Sequence, residues 1–259
     1  MIFQCLADCK ETLRACSLTA RRFRYIALAL LGRHLTLDTV DRLKECSPLI
    51  TRGAFQHVRS LDLGINNEGT ILRSYRMKYL VILKAFARYR TLNRLWLSEV
   101  SFNLVGRSQN HKNLRETIVT LGSTVTELGL YGCCFSSYEE MISLVRSFPL
   151  CVFLFLRDCA TGKQPASENA FTGLPGHQLS IRDLQLSCSS SNKSSIDISN
   201  LIRDAALDVG SLTSLVCDVG TSERARRVAA AVYSSPVEHF QVAWAEPGEF
   251  QGEHTPSGS

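Results

Sequence analysis

One phrase recurs along the chain and limits what it can fold into: an apolar residue, two variable residues, then Leu-x-Leu. It reads Val58…Leu61-Asp62-Leu63, Leu92…Leu95-Trp96-Leu97, Val125…Leu128-Gly129-Leu130, Cys151…Leu154-Phe155-Leu156 and Ile181…Leu184-Gln185-Leu186. Weaker copies stand at Leu212…Leu215-Val216-Cys217 and Val237…Phe240-Gln241-Val242, and a shorter first copy is Leu35-Thr36-Leu37. The Leu-x-Leu part begins at positions 35, 61, 95, 128, 154, 184, 215 and 240, so one copy falls every 25 to 34 residues. In a strand, alternate residues face opposite sides, so the two leucines enter a core and the middle residue points out. The middle positions hold Asp62, Gln185 and Gln241, but also Trp96, Phe155 and Val216.

Helical periods fill the gaps between these phrases. Ile71, Tyr75, Tyr79, Leu83 and Phe86 fall at steps of three or four residues, as do Leu114, Ile118 and Leu121 before Gly122. Tyr138, Met141, Val145 and Phe148 follow Ser136-Ser137-Tyr138-Glu139, which reads as a capping box. Ile198, Leu201, Ala205 and Val209 precede Gly210, a helix stop, and Ala225, Val228, Val232 and Pro236 close the last such segment. Each strand–helix unit has an apolar stripe that it cannot cover alone, and stacking neighbours covers it. The expected fold is therefore α/β: a leucine-rich-repeat-like solenoid with a parallel sheet over residues 32–246, of about six or seven units. Helices in residues 1–31 would cap it, and residues 247–259 form a disordered tail. An ordinary α/β domain with strands at similar spacing is the competing architecture.

Cysteine placement follows the repeat. Cys133 and Cys159 sit three residues past Leu130 and Leu156, and Cys188 sits two past Leu186. In leucine-rich repeats the turn after the strand commonly takes Asn or Cys, whose side chain satisfies backbone groups inside the bend. A metal site is the rival reading. The chain has no C-x-x-C, and neither Cys5-x-x-x-Cys9 nor Cys133-Cys134 has a His at ligand spacing, so turn and core roles are expected. The first residues lack the basic start of a signal peptide, so the ten cysteines are expected to be free thiols in cytosol or nucleus.

The start of the chain carries a second signal. The run Leu13-Arg14-Ala15-Cys16-Ser17-Leu18-Thr19-Ala20-Arg21-Arg22-Phe23 leads through an apolar stretch into Leu35-Thr36-Leu37. It resembles the C-terminal part of an F-box, where an L-x-x-C-S-L-x-x-R-x-F-like helix precedes a first strand. Ile2-Phe3-Gln4-Cys5-Leu6-Ala7-Asp8 resembles the tail of the F-box's earlier helix. Together with Val125-Thr126-Glu127-Leu128-Gly129-Leu130 and its kin, the chain to about Trp244 resembles the fungal F-box/leucine-rich-repeat-like proteins. That resemblance implies a substrate receptor of a cullin-based (SCF) ubiquitin ligase. Leu13, Cys16, Ser17, Leu18 and Phe23 would face the Skp adaptor, and the repeats would select a substrate protein. The family's opening Leu-Pro-x-Glu segment has no counterpart here, so the resemblance is to an F-box shortened at its N-terminus. A helical cap over the open end of the repeat core is the other reading of residues 1–31, and the two are compatible.

Other function classes find little support. Arg73, Arg76, Lys78, Lys84, Arg88, Arg90 and Arg94, interleaved with Tyr75, Tyr79 and Tyr89, could meet an acidic surface or nucleic acid. A net charge of +5 and the absence of a nucleic-acid module favour the solvated face of an amphipathic helix instead. Arg21, Arg22 and Arg24 form a smaller group. No apolar segment reaches the roughly 18 residues a membrane helix needs. The sequence has no G-x-S-x-G, H-E-x-x-H, G-x-x-x-x-G-K-[ST] or G-x-G-x-x-G, and its six histidines show no telling spacing to Ser, Cys or acid. Two polar stretches, 161–177 and 187–195, read as loops. The functional expectation is a non-enzymatic protein–protein interaction module without cofactor or metal. A stand-alone repeat scaffold is the alternative to a ligase receptor.

Overall fold

A computed structural model describes residues 10–19, 32–53, 55–64, 72–100, 102, 109–162, 179–187, 201, 207–219, 226, 228–230, 233 and 237–244. The elements in order are α1 (Lys10–Thr19), β1 (His34–Leu37), α2 (Val40–Thr51), β2 (Ser60–Gly64), α3 (Leu72–Tyr89) and β3 (Arg94–Ser98). Then come α4 (Gln109–Gly122), β4 (Glu127–Tyr131), β5 (Cys134–Phe135), α5 (Tyr138–Arg146), β6 (Phe153–Arg157) and β7 (Ala160–Thr161). The chain closes with β8 (Asp183–Ser187), a 3₁₀ turn (Val209–Ser211), β9 (Ser214–Val219) and β10 (His239–Trp244).

Eight strands build one sheet in the order β1-β2-β3-β4-β6-β8-β9-β10, and β5 pairs with β7 in a second, two-stranded one. All of these pairings are parallel. The chain is thus α/β, with each strand of the large sheet laid beside its predecessor. Parallel neighbours need a crossover between them, and where the crossover is described as a helix it is α2, α3, α4 or α5.

Register is set by the leucines. The first leucine of every phrase pairs with the first of the next: Leu35, Leu61, Leu95, Leu128, Leu154, Leu184, Leu215 and then Phe240. The second forms its own row, from Leu37 through Leu63, Leu97, Leu130, Leu156 and Leu186 to Cys217 and Val242. Leu61, Leu95, Leu128, Leu154 and Leu184 are fully buried, and Leu63, Leu97, Leu130, Leu156 and Leu186 nearly so. Each such side chain contributes about 1.5–3 kcal/mol by leaving water. The apolar residue three places upstream is buried as well: Val58, Leu92, Val125, Cys151, Ile181 and Leu212.

A backbone feature repeats with the same register. Two residues before each first leucine, one carbonyl accepts two N–H groups from the next turn. Arg33 O accepts from Arg59 and Ser60, Arg59 O from Asn93 and Arg94, and Asn93 O from Thr126 and Glu127. Thr126, Val152, Arg182 and Thr213 continue the series to His239. Every strand therefore enters the sheet in the same way, whatever the length of the segment before it.

The helices cover the leucine side. Ile82, Leu83 and Phe86 of α3, Ile118 and Leu121 of α4, and Met141, Leu144 and Val145 of α5 join the strand leucines in one core, with Phe148 just beyond α5. α3 packs against both α2 and α4. The α5 N-cap is Ser137, one residue later than the capping box read from Ser136 and Glu139. Ser137 Oγ accepts from Glu140 N at 3.2 Å, and buried Glu140 reaches back to Ser136 N at 2.9 Å. The sequence holds two overlapping Ser-x-x-Glu registers, and burial of Met141, Val145 and Phe148 selects the later one. α2 has no counterpart among the expected helices. It starts at an N-cap, Thr39, and runs through Pro48, which lacks the N–H a helix interior uses.

Several expected features lie outside the described residues: Phe23 and most of the cap, Arg21, Arg22 and Arg24, Cys188, most of both polar stretches and the 247–259 tail. Of the two polar stretches, the first residues belong to strands instead. Thr161 closes β7 and Ser187 closes β8.

The two faces of the sheet should respond differently to truncation. Leu128→Ala is expected to lower unfolding free energy by about 2–5 kcal/mol. Gln185→Ala, from a middle position, should stay within about 0.5 kcal/mol of wild type in the same urea titration.

Candidate partner-binding face

With the leucines turned toward the helices, the middle residues stand on the sheet's other face. In register they run Thr36, Asp62, Trp96, Gly129, Phe155, Gln185, Val216 and Gln241. All but Gly129 and Gln241 are half-buried; Gly129 is buried and Gln241 exposed. The residues two places away along each strand share this face.

Its centre is aromatic. Trp96 on β3 and Phe155 on β6 are separated by β4, yet their rings stack with centroids 4.9 Å apart and planes 23° apart. Strands two apart lie about 9.5 Å from each other, so the rings must lean across the intervening strand. Gly129 makes this possible. A Cβ there would stand 2.5 Å from Trp96 Cδ2, closer than any side chain tolerates. The Arg94 guanidinium lies 4.7 Å from the Trp96 ring centroid, and Arg157 lies 5.3 Å from that of Tyr131. Arg94 Nε is 3.9 Å from Glu127 Oε2. Aromatic rings with arginines over them form the residue set that dominates protein-binding surfaces.

A polar line runs along the β1–β2 edge. His34 Nδ1 is 2.8 Å from Ser60 Oγ, and its Nε2 is 3.2 Å from Asp62 Oδ2 and 3.0 Å from Thr36 Oγ1. Ser, His and Asp in a row are the groups of a serine nucleophile, its base and the acid that orients the base. Positions 34, 60 and 62 meet only because β1 pairs with β2, which is why their spacing carried no signal. The serine's surroundings do not suit acyl transfer. Arg59 N and Ser60 N both donate to Arg33 O, at 2.8 and 2.9 Å, so neither amide beside the serine can hold an oxyanion. The line forms a hydrogen-bonded polar edge to the face.

The turns after the central strands also repeat. Glu99, Gly132 and Asp158 take positive φ (58°, 59° and 51°), each one residue past its strand. Only glycine adopts this freely, so Glu99 and Asp158 are held there by the stacking of successive turns. Cys133 and Cys159 come next and are buried. Cys133 Sγ donates to Leu97 O at 3.3 Å, and Cys159 Sγ to Leu130 O at 3.4 Å, each reaching back one strand. Three residues past Glu99 and Gly132, Phe102 and Phe135 stack with centroids 4.8 Å apart; the latter belongs to β5, the former to no strand. Cys46, Cys133, Cys134, Cys151 and Cys159 are free thiols. The hydrogen bond with Cys159, and then burial, push the Cys133 thiol well up, and burial pushes Cys151 up to about 12.

In α1, Leu13 is buried and Leu18 is 86% exposed, while the side chains of Cys16 and Ser17, like Phe23, lie outside the described residues. Of the basic cluster, the side chains of Arg73, Tyr75, Arg76 and Lys78 lie outside the described residues. Lys84 and Arg88 are exposed on α3, but Arg94 belongs to the sheet face opposite the leucines, among Trp96 and Glu127. Tyr79 and Tyr89 pack against the core and donate to Gly64 O and Ile50 O. Among the described residues no three His, Cys, Asp or Glu side chains group to hold a metal ion, and no helix is long and apolar enough to cross a membrane.

Of the residues that build the face, sequence reasoning marked Trp96 and Phe155 as apolar exceptions at middle positions and placed Arg94 in the basic cluster, while Tyr131 and Arg157 carried no signal. Gly129→Ala should displace Trp96, flattening its near-UV circular dichroism and lowering stability by about 1–3 kcal/mol. A second expectation concerns pH. Burial raises Cys151 from 9.0 and Tyr79 from 10.0, each to about 12. Above about pH 9 the unfolded chain releases protons that the folded chain keeps, so stability must fall as pH rises from 9 toward 12. Urea midpoints at about pH 8 and about pH 10.5 should show that drop, and Cys151→Ala should reduce it. No protein-family model and no curated protein matches this sequence, so its functional reading rests on these residues and their geometry.

Proposed function

We propose that the chain is a leucine-rich-repeat-like α/β solenoid whose open sheet face holds a protein partner. The observation that carries this reading is the common register of all eight strands, with one strand-entry carbonyl between each pair of neighbours and a leucine pair in each of the first six. Repetition of that kind produces a broad, continuous surface of outward-facing residues, which repeat proteins use for recognition. Trp96, Phe155 and Tyr131, flanked by Arg94 and Arg157, give that surface an anchoring centre. The chemistry is binding rather than catalysis, and it needs no cofactor.

The role proposed for this module is that of an F-box-type substrate receptor of a cullin-based ubiquitin ligase, or a shortened relative of one, acting in cytosol or nucleus. Support comes from α1. Its Leu13 is buried while Leu18 is 86% exposed, an apolar side chain offered to a partner. The free thiols suit a reducing compartment.

Size-exclusion chromatography with recombinant Skp adaptor tests this role. Co-elution is expected, and Leu18→Asp should abolish it without changing the far-UV circular dichroism. Absence of any complex with the wild-type chain would remove the ligase reading and leave a stand-alone repeat scaffold.

A further inference from the structure

Asp62, Arg94 and Trp96 stand together on the open face. Asp62 pairs in register with Trp96 across β2 and β3, and Arg94 precedes Trp96 by two residues on the same strand. Each has a buried polar atom without a hydrogen-bond partner: Oδ1 of Asp62, Nε of Arg94 and Nε1 of Trp96. Their charged neighbours do not satisfy them. His34 Nε2 approaches the other Asp62 oxygen, Oδ2, at 3.2 Å, and Glu127 Oε2 is 3.9 Å from Arg94 Nε, beyond hydrogen-bonding reach. Buried polar atoms are nearly always paired, and a cluster of exceptions in one place asks for an explanation.

The three atoms comprise one acceptor and two donors. A carboxylate would offer only acceptors and an ammonium only donors, so neither answers the set. A main-chain amide offers C=O and N–H together, repeated along an extended strand at about 3.3 Å per residue. The Trp96–Phe155 stack beside it is apolar. We infer that this patch takes an extended peptide segment of the protein partner, laid across β2 and β3. Its carbonyls accept from Trp96 Nε1 and Arg94 Nε, an N–H donates to Asp62 Oδ1, and an apolar side chain rests on the aromatic stack. The Arg94 side chain is 38% exposed and covers the indole, and it swings aside as the peptide arrives. This inference rests on the open face being the partner-binding surface, and it specifies what the partner presents there.

The test uses a phage-displayed library of random 12-residue peptides selected on the whole chain. Enriched peptides are then titrated into ¹⁵N-labelled protein. The chain has two tryptophans, Trp96 and Trp244, so Trp96→Phe assigns both indole N–H signals at once. Selected peptides are expected to shift the Trp96 indole signal. Their affinity should fall about tenfold in Trp96→Phe, which keeps a ring but lacks the N–H, and in Asp62→Ala. Should either variant fold poorly, the shift in the wild-type protein still decides. Peptides that bind while the Trp96 signal stays still, with affinity untouched by both variants, would overturn the inference yet leave the broader recognition reading standing. Failure to enrich any binder would overturn it too, and the adaptor experiment would then judge the broader reading independently. A Trp96 signal that moves with protein concentration alone would assign the patch to a second copy of the chain, again overturning it.

Discussion

Everything in this molecule depends on the in-register pairing of leucine pairs along one parallel sheet. A strand has a side-chain period of two, so a slip of one residue between neighbours would turn every leucine outward and every middle residue inward. The two leucine rows and the row of doubly accepting carbonyls fix the same register independently, one through packing and one through hydrogen bonds. Helices can then differ in length from unit to unit, from the 9 residues of α5 to the 18 of α3, without disturbing the sheet.

That same register creates the surface. Because Leu95, Leu128 and Leu154 are locked in a row, Trp96, Gly129 and Phe155 are locked in another. Gly129 empties the middle position, and the flanking rings close over it. The turns past the same strands stack in step, with positive φ at Glu99, Gly132 and Asp158 and the Cys133 and Cys159 thiols tied back to the preceding strand. Core and face are thus two consequences of one alignment.

The sequence made the core legible because its signal is local. Leu-x-Leu and the apolar residue three places earlier need only six consecutive residues to be read, and even the weak copy at Leu215 and Cys217 is buried. The face was not legible, since each of its features joins residues from different strands. The Trp96–Phe155 stack spans three strands, and His34 meets Ser60 and Asp62 only through β1–β2 pairing. Arg94 was grouped with the α3 cations because it follows them in the chain, although it stands on the sheet. α2 escaped notice because Pro48 interrupts its pattern, while Leu43 and Ile50 still bury its inner side. The Cys133 and Cys159 positions were readable, as their offset from the leucines is constant.

Inter-strand nuclear Overhauser effects from the Gly129 backbone test this alignment most directly. The account predicts contacts from Gly129 to Trp96 on one side and to Phe155 on the other, with Leu128 meeting Leu95 and Leu154. Contacts that instead join Leu128 to Trp96, or Gly129 to a strand other than β3 and β6, would contradict it.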